Sequence, residues 1–267
     1  MRRVLELFKA PQMRLSRHIQ RSIAAPSSKR VYVRDLFGRI AGRYDLTNDV
    51  MSLGMHRRWK ERAIELAAIE PGHVVLDLAA GTGDLALGAM APVGPDGAVI
   101  AGDLTRPMMA IGRERQGGDA VRWVECDATA LPFASSSLDR VLIGYGLRNF
   151  PSLEVCLAEI YRCLSPGGKL VTLDFGKPSS NPVKAAYLRY LDLSTRLVGW
   201  TLHRDMEAYA YIPESLRAYP AQEGVADLMR RVGFAWTGYT DIMLGTMALN
   251  FGERPVDSVV TPAPLSR

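Results

Sequence analysis

A glycine-rich loop beside acidic residues is the part of the sequence whose residue types most directly suggest chemistry. Gly81-Thr82-Gly83 follows a short apolar run and precedes Asp84. Glycines at such a position let the backbone turn sharply and let a ligand approach it closely. The loop alone fits more than one nucleoside-containing cofactor, because Gly81, Gly83 and Ala86 also satisfy the relaxed dinucleotide pattern G-x-G-x-x-A.

The acidic residues around this loop separate the candidate cofactors. Asp77 lies in the apolar run before the loop, and Asp84 occupies the first turn of the predicted helix after it. A dinucleotide places its pyrophosphate at that helix N-terminus, where two carboxylates would repel it. S-adenosylmethionine has no phosphate and carries an ammonium and a sulfonium, so an acid-lined pocket suits it. The pattern therefore favours S-adenosylmethionine over NAD(P).

Two further aspartates follow the next predicted strands. Asp103 ends the second strand, and Asp127 follows the third. Ligands bind at the carboxyl ends of the strands in sheets of this kind. We therefore expect Asp103 to accept hydrogen bonds from ribose hydroxyls and Asp127 to accept one from an adenine amino group.

The alternation of strand and helix patterns predicts an α/β fold. Strands are predicted over 73–78, 98–103, 122–126, 140–143 and 169–175, the last following the turn at 165–168, and a helix over 153–164. This spacing predicts βαβ units and a doubly wound, mostly parallel sheet. The runs 236–243 and 246–251 are joined by two residues, which permits only an antiparallel hairpin. Together these elements predict the seven-stranded sheet of class I S-adenosylmethionine methyltransferases.

The basic excess of the chain is confined to its beginning. The formal net charge is +5, yet residues 1–30 contain eight lysines and arginines against one acid. This argues against a core domain that binds nucleic acid. Residues 1–30 are predicted to be a leader: a basic helix on a membrane surface, a transit-type segment or a solvated arm. We expect the methyltransferase domain over 31–252 and a disordered, proline-containing tail over 253–267.

The cysteines and histidines do not form a pattern for metal binding or nucleophilic catalysis. Cys126, Cys156 and Cys163 are odd in number and contain no CxxC pair, so neither a disulfide framework nor a zinc site is predicted. No Ser-His-Asp arrangement and no phosphate loop with a lysine is present. A reducing cytoplasm fits this cysteine usage best, and no apolar stretch is long enough to cross a bilayer.

Four longer motifs resemble those of the ubiquinone/menaquinone biosynthesis C-methyltransferases. They lie at 37–60 (FGRIAGRYDLTNDVMSLGMHRRWK), 144–149 (GYGLRN), 166–178 (PGG through DFGKP) and 211–217 (YIPESLR). The resemblance covers about 31–252. It implies an enzyme that uses S-adenosylmethionine to methylate a ring carbon of a polyprenylated quinol, either demethylmenaquinol, a methoxy-polyprenyl-benzoquinol or both.

The resemblance also implies which residues contact the cofactor. It places contacts at Thr82, Asp103, Asp127 with Ala128, and Gly144. Family members often carry a serine where Gly144 stands, and glycine cannot supply that hydroxyl. With the loop and the strand before it, the expected cofactor-binding residues are Asp77, Gly81, Thr82, Gly83, Asp103, Asp127, Ala128 and Gly144.

The candidate catalytic residues are Tyr44, Asp45, Arg148 and Asn149. Arg148 is expected either to stabilise a phenolate or poise a water, or to pair with a carboxylate such as Asp45 and close the site. Tyr44 is expected to hydrogen-bond the quinol or to cap the pocket with its ring. Asn149 is expected to orient a ring oxygen or to end the strand turn, and His56 to make a structural contact.

The expected partners follow from a substrate with a lipid tail. Residues 185–202 are predicted to form either a lid that touches the membrane or an amphipathic helix packed on the sheet. We expect a cytoplasmic protein, in peripheral contact with the inner face of the membrane, without a nucleic-acid partner. A homodimer or a quinone-synthesis complex would fit. Two other functions stay open, a methyltransferase of a soluble aromatic metabolite and a non-catalytic cofactor-binding scaffold, although a scaffold would not need the acids of the loop.

Overall fold

A seven-stranded sheet forms the centre of the computed structural model, which describes residues 17–198 and 206–256. The strand order is β3-β2-β1-β4-β5-β7-β6. The first five strands are parallel, and β7 runs antiparallel to both β5 and β6. This confirms the predicted class I methyltransferase sheet with its antiparallel hairpin. The strands are β1 (Val74–Leu78), β2 (Ala98–Asp103), β3 (Arg122–Glu125), β4 (Leu138–Gly144), β5 (Leu164–Phe175), β6 (Ala235–Ile242) and β7 (Met247–Glu253).

Helices cover both faces of this sheet and its carboxyl edge. Helices α1 (Pro26–Ile40), α2 (Tyr44–Ser52) and α3 (His56–Ala67) precede β1. Three lie between the parallel strands: α4 (Asp84–Val93), α5 (Arg106–Glu114) and α6 (Leu153–Cys163). Three lie between β5 and β6: α7 (Asn181–Val198), α8 (Met206–Ala218) and α9 (Ala221–Val232). Short 3-10 turns span Ala41–Arg43 and Leu147–Asn149.

The ligand-binding edge of the sheet lies where the strand order reverses, at β1. β1 pairs in parallel with β2 on one side and with β4 on the other. Residues 75–78 of β1 and 141–143 of β4 are buried between helices on both faces, so these residues are apolar on both sides of the sheet except for Asp77. The loops after β1 and β4 leave in opposite directions and open a crevice at their carboxyl ends.

One predicted turn is an irregularity within a strand. Residues 165–168 were expected to form a turn before β5, but β5 begins at Leu164 and includes them. The register to β4 shifts between Leu138 and Arg140, and Gly167 has φ +78°. Gly167 donates its N–H to Arg254 O, and Arg254 donates its N–H to Gly168 O. These hydrogen bonds keep the glycine stretch attached to the sheet.

Part of the predicted leader packs on the methyltransferase fold. Ile19 is fully buried with Leu36 and Tyr211 in a small apolar cluster. Helix α1 begins at Pro26, five residues before the predicted start of the domain. Residues 1–16 of the predicted leader and 257–267 of the predicted tail lie outside the described residues.

The segment predicted as a lid or packed helix is helical as far as it is described. Helix α7 contains residues 185–198, and residues 199–202 lie outside the described part of the chain. Across 17–198 and 206–256, no helix is long and apolar enough to cross a membrane.

Gly83→Ala should destabilise the fold, because Gly83 has φ +83° and an added Cβ would lie 2.5 Å from the Trp123 ring. The left-handed backbone and the overpacking together cost on the order of 2–4 kcal/mol. Urea denaturation measures the free energy of unfolding. Gly42→Ala is the control, since an added Cβ there meets nothing within 4 Å. Equal free energies of unfolding for the two variants would contradict this account of Gly83.

Candidate active site

The glycine loop is held in place by the aspartate at the end of β2. Asp103 Oδ2 accepts the Gly81 N–H at 2.8 Å, and Oδ1 accepts the Thr105 N–H at 2.7 Å. Burial raises the pKa of Asp103. Each carboxylate oxygen has a second lone pair, so Asp103 can hold the loop and still accept hydrogen bonds from ribose hydroxyls.

Asp77 is a buried carboxyl beneath the loop. Its Oδ2 accepts the Ala86 N–H at 2.8 Å, and burial raises its pKa to about 8. A low-dielectric site penalises the charged form of an acid unless a cation compensates it. Asp77 is therefore suited to a ligand that brings an ammonium group with it.

Asp84 does not present a free negative charge to a ligand. Lys60 Nζ pairs with its Oδ2, and Arg115 Nη1 lies 2.5 Å from its Oδ1. Burial by itself would raise the pKa of Asp84, but the charges and hydrogen bonds of Lys60 and Arg115 hold it at about 2. The expectation that Asp77 and Asp84 both present negative charge to the ligand is therefore wrong, because Asp84 is paired with two cations and Asp77 keeps its proton up to about pH 8. Sequence reasoning missed Lys60 and Arg115 because each approaches from a distant part of the chain.

Most of the expected cofactor residues line two adjoining pockets at the carboxyl edge of the sheet. Gly83 is in neither lining and lies against Trp123 instead. The larger pocket is lined by Gly81, Asp103, Asp127, Ala128 and Gly144, and the smaller one by Asp77, Gly81, Thr82 and Gly144, together with Lys60 and Asp84. This division suits a nucleoside in the larger pocket and an amino-acid group in the smaller one.

Two neighbouring basic residues of helix α1 lie at the carboxyl edge of the sheet: Arg30 lines the larger pocket, and Lys29 binds the turn after β4. Arg30 Nη1 lies 2.7 Å from Asp127 Oδ2, while Thr129 donates to Asp127 Oδ1. Lys29 Nζ donates to the carbonyls of Arg148 and Phe150, and burial lowers the pKa of Lys29 to about 8. An adenine amino group would therefore share Asp127 with Arg30 or displace it.

Thr82 and Asp45, predicted for different roles, contact each other. Thr82 Oγ1 donates to Asp45 Oδ1 at 2.7 Å. Asp45 is in the first turn of α2, so this hydrogen bond fastens α2 to the glycine loop.

A much larger and mainly apolar cavity lies beside the cofactor pockets. Its volume is about 490 Å³. Its walls come from α1, α2, α3, α7, α8 and the turn between β6 and β7. Tyr44 and Tyr145 line this cavity and both cofactor pockets, so the three spaces meet at these two rings. A ligand in the cavity can therefore contact a ligand in the cofactor pockets.

Arg148 lies in the wall of the apolar cavity and is held by Asp174 rather than by Asp45. Its Nη1 lies 2.7 Å from Asp174 Oδ1 and 2.7 Å from Tyr145 O, and its guanidinium carbon lies 4.6 Å from the centre of the Phe175 ring. The predicted alternative that Arg148 pairs with a carboxylate is therefore confirmed, but the partner is Asp174 and not Asp45. Asp174, near the end of β5, was missed, although an acid at the end of the neighbouring strand was a usable signal.

The other two predicted catalytic residues differ in their surroundings. Tyr44 is partly buried where the three spaces meet, and desolvation raises its pKa. Asn149 lines the larger cofactor pocket, donates to Tyr145 O at 3.1 Å and accepts from the Tyr211 hydroxyl at 3.0 Å. Both side-chain groups of Asn149 thus contact protein, which supports its role in holding the turn after β4.

His56 also lines the apolar cavity. Its Nε2 lies 2.9 Å from Asp49 Oδ1, and this hydrogen bond, with those from Arg57, lowers the pKa of Asp49. The expected structural contact is therefore present. The other ring nitrogen, Nδ1, is buried with no hydrogen-bond partner among the described residues. Buried polar atoms rarely lack a partner, so the free nitrogen marks a place for a ligand group.

Several polar groups on the cavity wall share this property. Within 17–198 and 206–256, five buried atoms of cavity-lining residues have no hydrogen-bond partner: His56 Nδ1, Arg148 Nε, Asn48 Nδ2, Tyr145 Oη and Tyr187 Oη. An apolar cavity with a few such groups is typical of a site for a mainly apolar ligand with polar substituents.

The comparison with protein families identifies the chain. The ubiE/COQ5 methyltransferase family matches residues 25–254. The chain belongs to this family. It is an S-adenosylmethionine-dependent C-methyltransferase, and the acids and connected pockets described above fit that cofactor. Among the described residues, no group of three or more His, Cys, Asp or Glu side chains is placed to hold a metal ion.

Curated relatives match the chain along most of its length. A protein of Pasteurella multocida is 36% identical over 92% of this chain and 93% of its own, and one of Hahella chejuensis is 38% identical over 85% and 93%. Both are named ubiquinone/menaquinone biosynthesis C-methyltransferase UbiE.

Solved structures match the fold. An S-adenosylmethionine-dependent methyltransferase of Thermotoga maritima, described as a possible histamine N-methyltransferase, has a TM-score of 0.60. It is 17% identical, and the match covers 83% of this chain and 99% of that one. At this identity the match shows the shared fold alone.

The raised pKa of Asp77 predicts how stability changes with pH. The folded protein keeps a proton on Asp77 up to about pH 8, whereas the unfolded chain loses it near the ordinary aspartate pKa of 3.8. The contribution of Asp77 to stability therefore falls as pH rises between these values. Asp77→Asn removes this dependence, and its amide oxygen still accepts the Ala86 N–H. We expect the wild type to lose up to about 1 kcal/mol per pH unit relative to Asp77→Asn between about pH 5 and pH 8.

Urea denaturation across this pH range measures the difference. The control is the exposed Asp96→Asn, whose free energy of unfolding should change in parallel with the wild type. A wild type that becomes more stable than Asp77→Asn as pH rises would contradict the assignment.

Proposed function

We propose that this chain transfers a methyl group from S-adenosylmethionine to a ring carbon of a polyprenylated quinol in respiratory quinone biosynthesis. The substrate is demethylmenaquinol, a methoxy-polyprenyl-benzoquinol or both. The observation that carries the proposal is the apolar cavity of about 490 Å³ that meets the cofactor pockets at Tyr44 and Tyr145. The names of the curated relatives support the same substrate class.

The cavity suits a quinol better than a soluble aromatic metabolite. A quinol has an apolar body and two ring oxygens, each of which needs a polar partner when buried. The wall supplies few polar groups, and five of them carry an atom without a partner among the residues that the structure describes. A metabolite with many polar groups would be incompletely hydrogen-bonded in this cavity.

Arg148 is placed to stabilise the reacting ring. When bound, the cofactor supplies an electrophilic methyl group, and a hydroquinone carbon attacks it readily once a ring hydroxyl has lost its proton. The Arg148 Nε–H has no acceptor within 17–198 and 206–256, whereas its Nη1 is held by Asp174 and Tyr145 O. A fixed donor in a site that excludes water stabilises the phenolate that forms when the ring hydroxyl loses its proton. Nε is therefore a guanidinium donor that remains for the ring oxygen.

His56 is placed to accept the proton from the ring hydroxyl. Asp49 can accept a proton-bearing Nε2, which leaves Nδ1 as the acceptor. Histidine is the side chain that most often serves as a general base in enzymes. We therefore assign the role of general base to His56 and that of orienting its ring to Asp49. Tyr44 and Tyr145 exclude water where the two ligands meet.

Removing Arg148 should slow turnover and spare cofactor binding. Arg148→Ala alone would leave the Asp174 charge buried and cost about 3–5 kcal/mol, so the informative variant is Arg148→Gln with Asp174→Asn. We expect its kcat to fall by about 100-fold or more, with the calorimetric affinity for S-adenosylmethionine unchanged. By contrast, Asp103→Ala should weaken that affinity.

The matched control removes an exposed pair, Arg62→Gln with Glu65→Gln, and should leave both quantities unchanged. Wild-type turnover in the Arg148–Asp174 double variant would exclude Arg148 from the chemistry.

His56→Asn should lower kcat by about 100-fold or more and leave the affinity for S-adenosylmethionine within about twofold. Asp49→Asn should lower kcat less, because it loosens the orientation of the imidazole but keeps the base. The control is His73→Asn, since His73 is outside the cavity lining. A His56→Asn variant with normal kcat would show that the contact with Asp49 is only structural.

The proposed function is tested by incubating the full chain with methyl-labelled S-adenosylmethionine and either quinol in detergent. Mass spectrometry should find the label on a ring carbon of at least one quinol. Label on neither quinol, with S-adenosylmethionine bound in calorimetry, would reject the quinol and favour a soluble aromatic metabolite or a non-catalytic scaffold. Label on a ring oxygen would reject C-methylation of the quinol.

A further inference from the structure

Three exposed apolar residues lie where the large cavity opens to solvent. Leu53 is 82% exposed, Met243 is 50% exposed and Leu244 is 78% exposed. Leu53 follows helix α2, and the other two form the turn between β6 and β7. All three belong to the lining of the cavity. The opening is thus surrounded by apolar side chains from two distant parts of the chain.

The backbone conformation at these three positions is one that leucine and methionine rarely adopt. Leu53, Met243 and Leu244 have φ of +52°, +48° and +59°, in the left-handed region that large apolar residues rarely adopt. Left-handed positions in hairpin turns, such as those of Met243 and Leu244, favour Asn, Asp or Gly. Neither packing within the chain nor turn geometry therefore accounts for Leu or Met at these places. Contact of these side chains with an apolar medium outside the chain accounts for the choice of leucine and methionine.

The proposed substrate explains which medium is needed. A ring with a tail of several isoprene units does not fit entirely in a cavity of about 490 Å³, so the tail must leave through the opening. Exposure of the tail to water would be unfavourable along its whole length. An opening that rests on a bilayer keeps the tail in an apolar medium throughout.

The charges near the opening suit a bilayer that contains anionic lipid. Arg57 and Arg58 are exposed in the first turns of α3, four and five residues after Leu53. Arg57 also pairs with Asp49, and Asp241 is an exposed acid two residues before Met243. Basic side chains beside inserted apolar residues strengthen binding to anionic headgroups.

We propose that Leu53, Met243 and Leu244 form a docking surface that inserts into an anionic phospholipid bilayer. The quinol then enters the cavity from the membrane, and its tail stays in the lipid during the reaction. This proposal deepens the proposed function, on which it rests, by naming the face of the molecule that meets the substrate pool. A second copy of this chain or another protein on the same face is an alternative that the experiment must separate.

The test measures binding of the full chain to vesicles of phosphatidylcholine and phosphatidylglycerol by flotation. The variant is Leu53→Asn with Leu244→Asn. Asparagine tolerates the left-handed backbone better than leucine, so the variant should fold, with no loss of thermal stability. We expect vesicle partitioning to fall by roughly tenfold for each leucine replaced.

A matched control comes from strand β6, which leads into the turn that contains Met243 and Leu244. Trp236 is 82% exposed with φ +48°, but it lies at the opposite end of β6 from Met243 and outside the cavity lining. Trp236→Asn makes the same kind of change away from the opening. Its vesicle partitioning should equal that of the wild type.

Three results would overturn the proposal. The double variant could partition like the wild type, or Trp236→Asn could lose as much binding as the double variant. Alternatively, the double variant could dissociate an oligomer in sedimentation while vesicle partitioning stays unchanged, which would assign the surface to a second copy.

Vesicle binding is measured without quinol or methyl donor, and methyl transfer is measured in detergent. Failure of the docking proposal alone leaves vesicle partitioning of the double variant unchanged, while the wild type still transfers the methyl group in detergent. Failure of the proposed function alone leaves the vesicle result unchanged.

Discussion

Two side-chain contacts between the helices before β1 and the glycine loop determine the rest of the site. Asp45 accepts a hydrogen bond from Thr82, and Lys60 pairs with Asp84. These contacts hold α2 and α3 across the carboxyl edge of the sheet, where α2 brings Tyr44 to the junction and α3 brings His56 to the cavity wall. The two helices close the cofactor pocket and at the same time form a wall of the apolar cavity. Without them, the sheet would keep the loop but would lose the enclosed space next to it.

The charges of the site are largely paired before any ligand binds. Asp84 is compensated by Lys60 and Arg115, and Arg148 by Asp174. Pairing leaves little net charge in the cavity wall, so an apolar ring and tail can enter without removing an isolated ion from water. Asp77 differs, because burial raises its pKa and the cation of the ligand is what compensates its negative form. During methyl transfer the sulfonium loses its positive charge and the ring oxyanion loses its negative charge. A site without water and with fixed side chains favours such a transition state.

The features that are local in sequence were predictable. The sheet, its hairpin, the helix at 153–164 and the acids after β1, β2 and β3 follow from periodicity and from glycine turns. The pairs that join distant segments were not. Lys60 with Asp84 and Arg148 with Asp174 depend on how α3 and β5 are placed against the loop and β4. Likewise, composition assigned Lys29 and Arg30 to a basic leader, whereas burial of Lys29 and the contact of Arg30 with Asp127 depend on the docking of α1.

The cofactor and the quinol meet at Tyr44 and Tyr145. A crystal structure of the complex tests this arrangement most directly. The protein would be crystallised with S-adenosylhomocysteine and a short-chain quinone analogue. The account predicts the nucleoside against Asp103, the sulfur beside Tyr44 and Tyr145, and the ring in the apolar cavity within hydrogen-bond reach of Arg148. A ring bound elsewhere, with the apolar cavity filled by side chains or left empty, would contradict it.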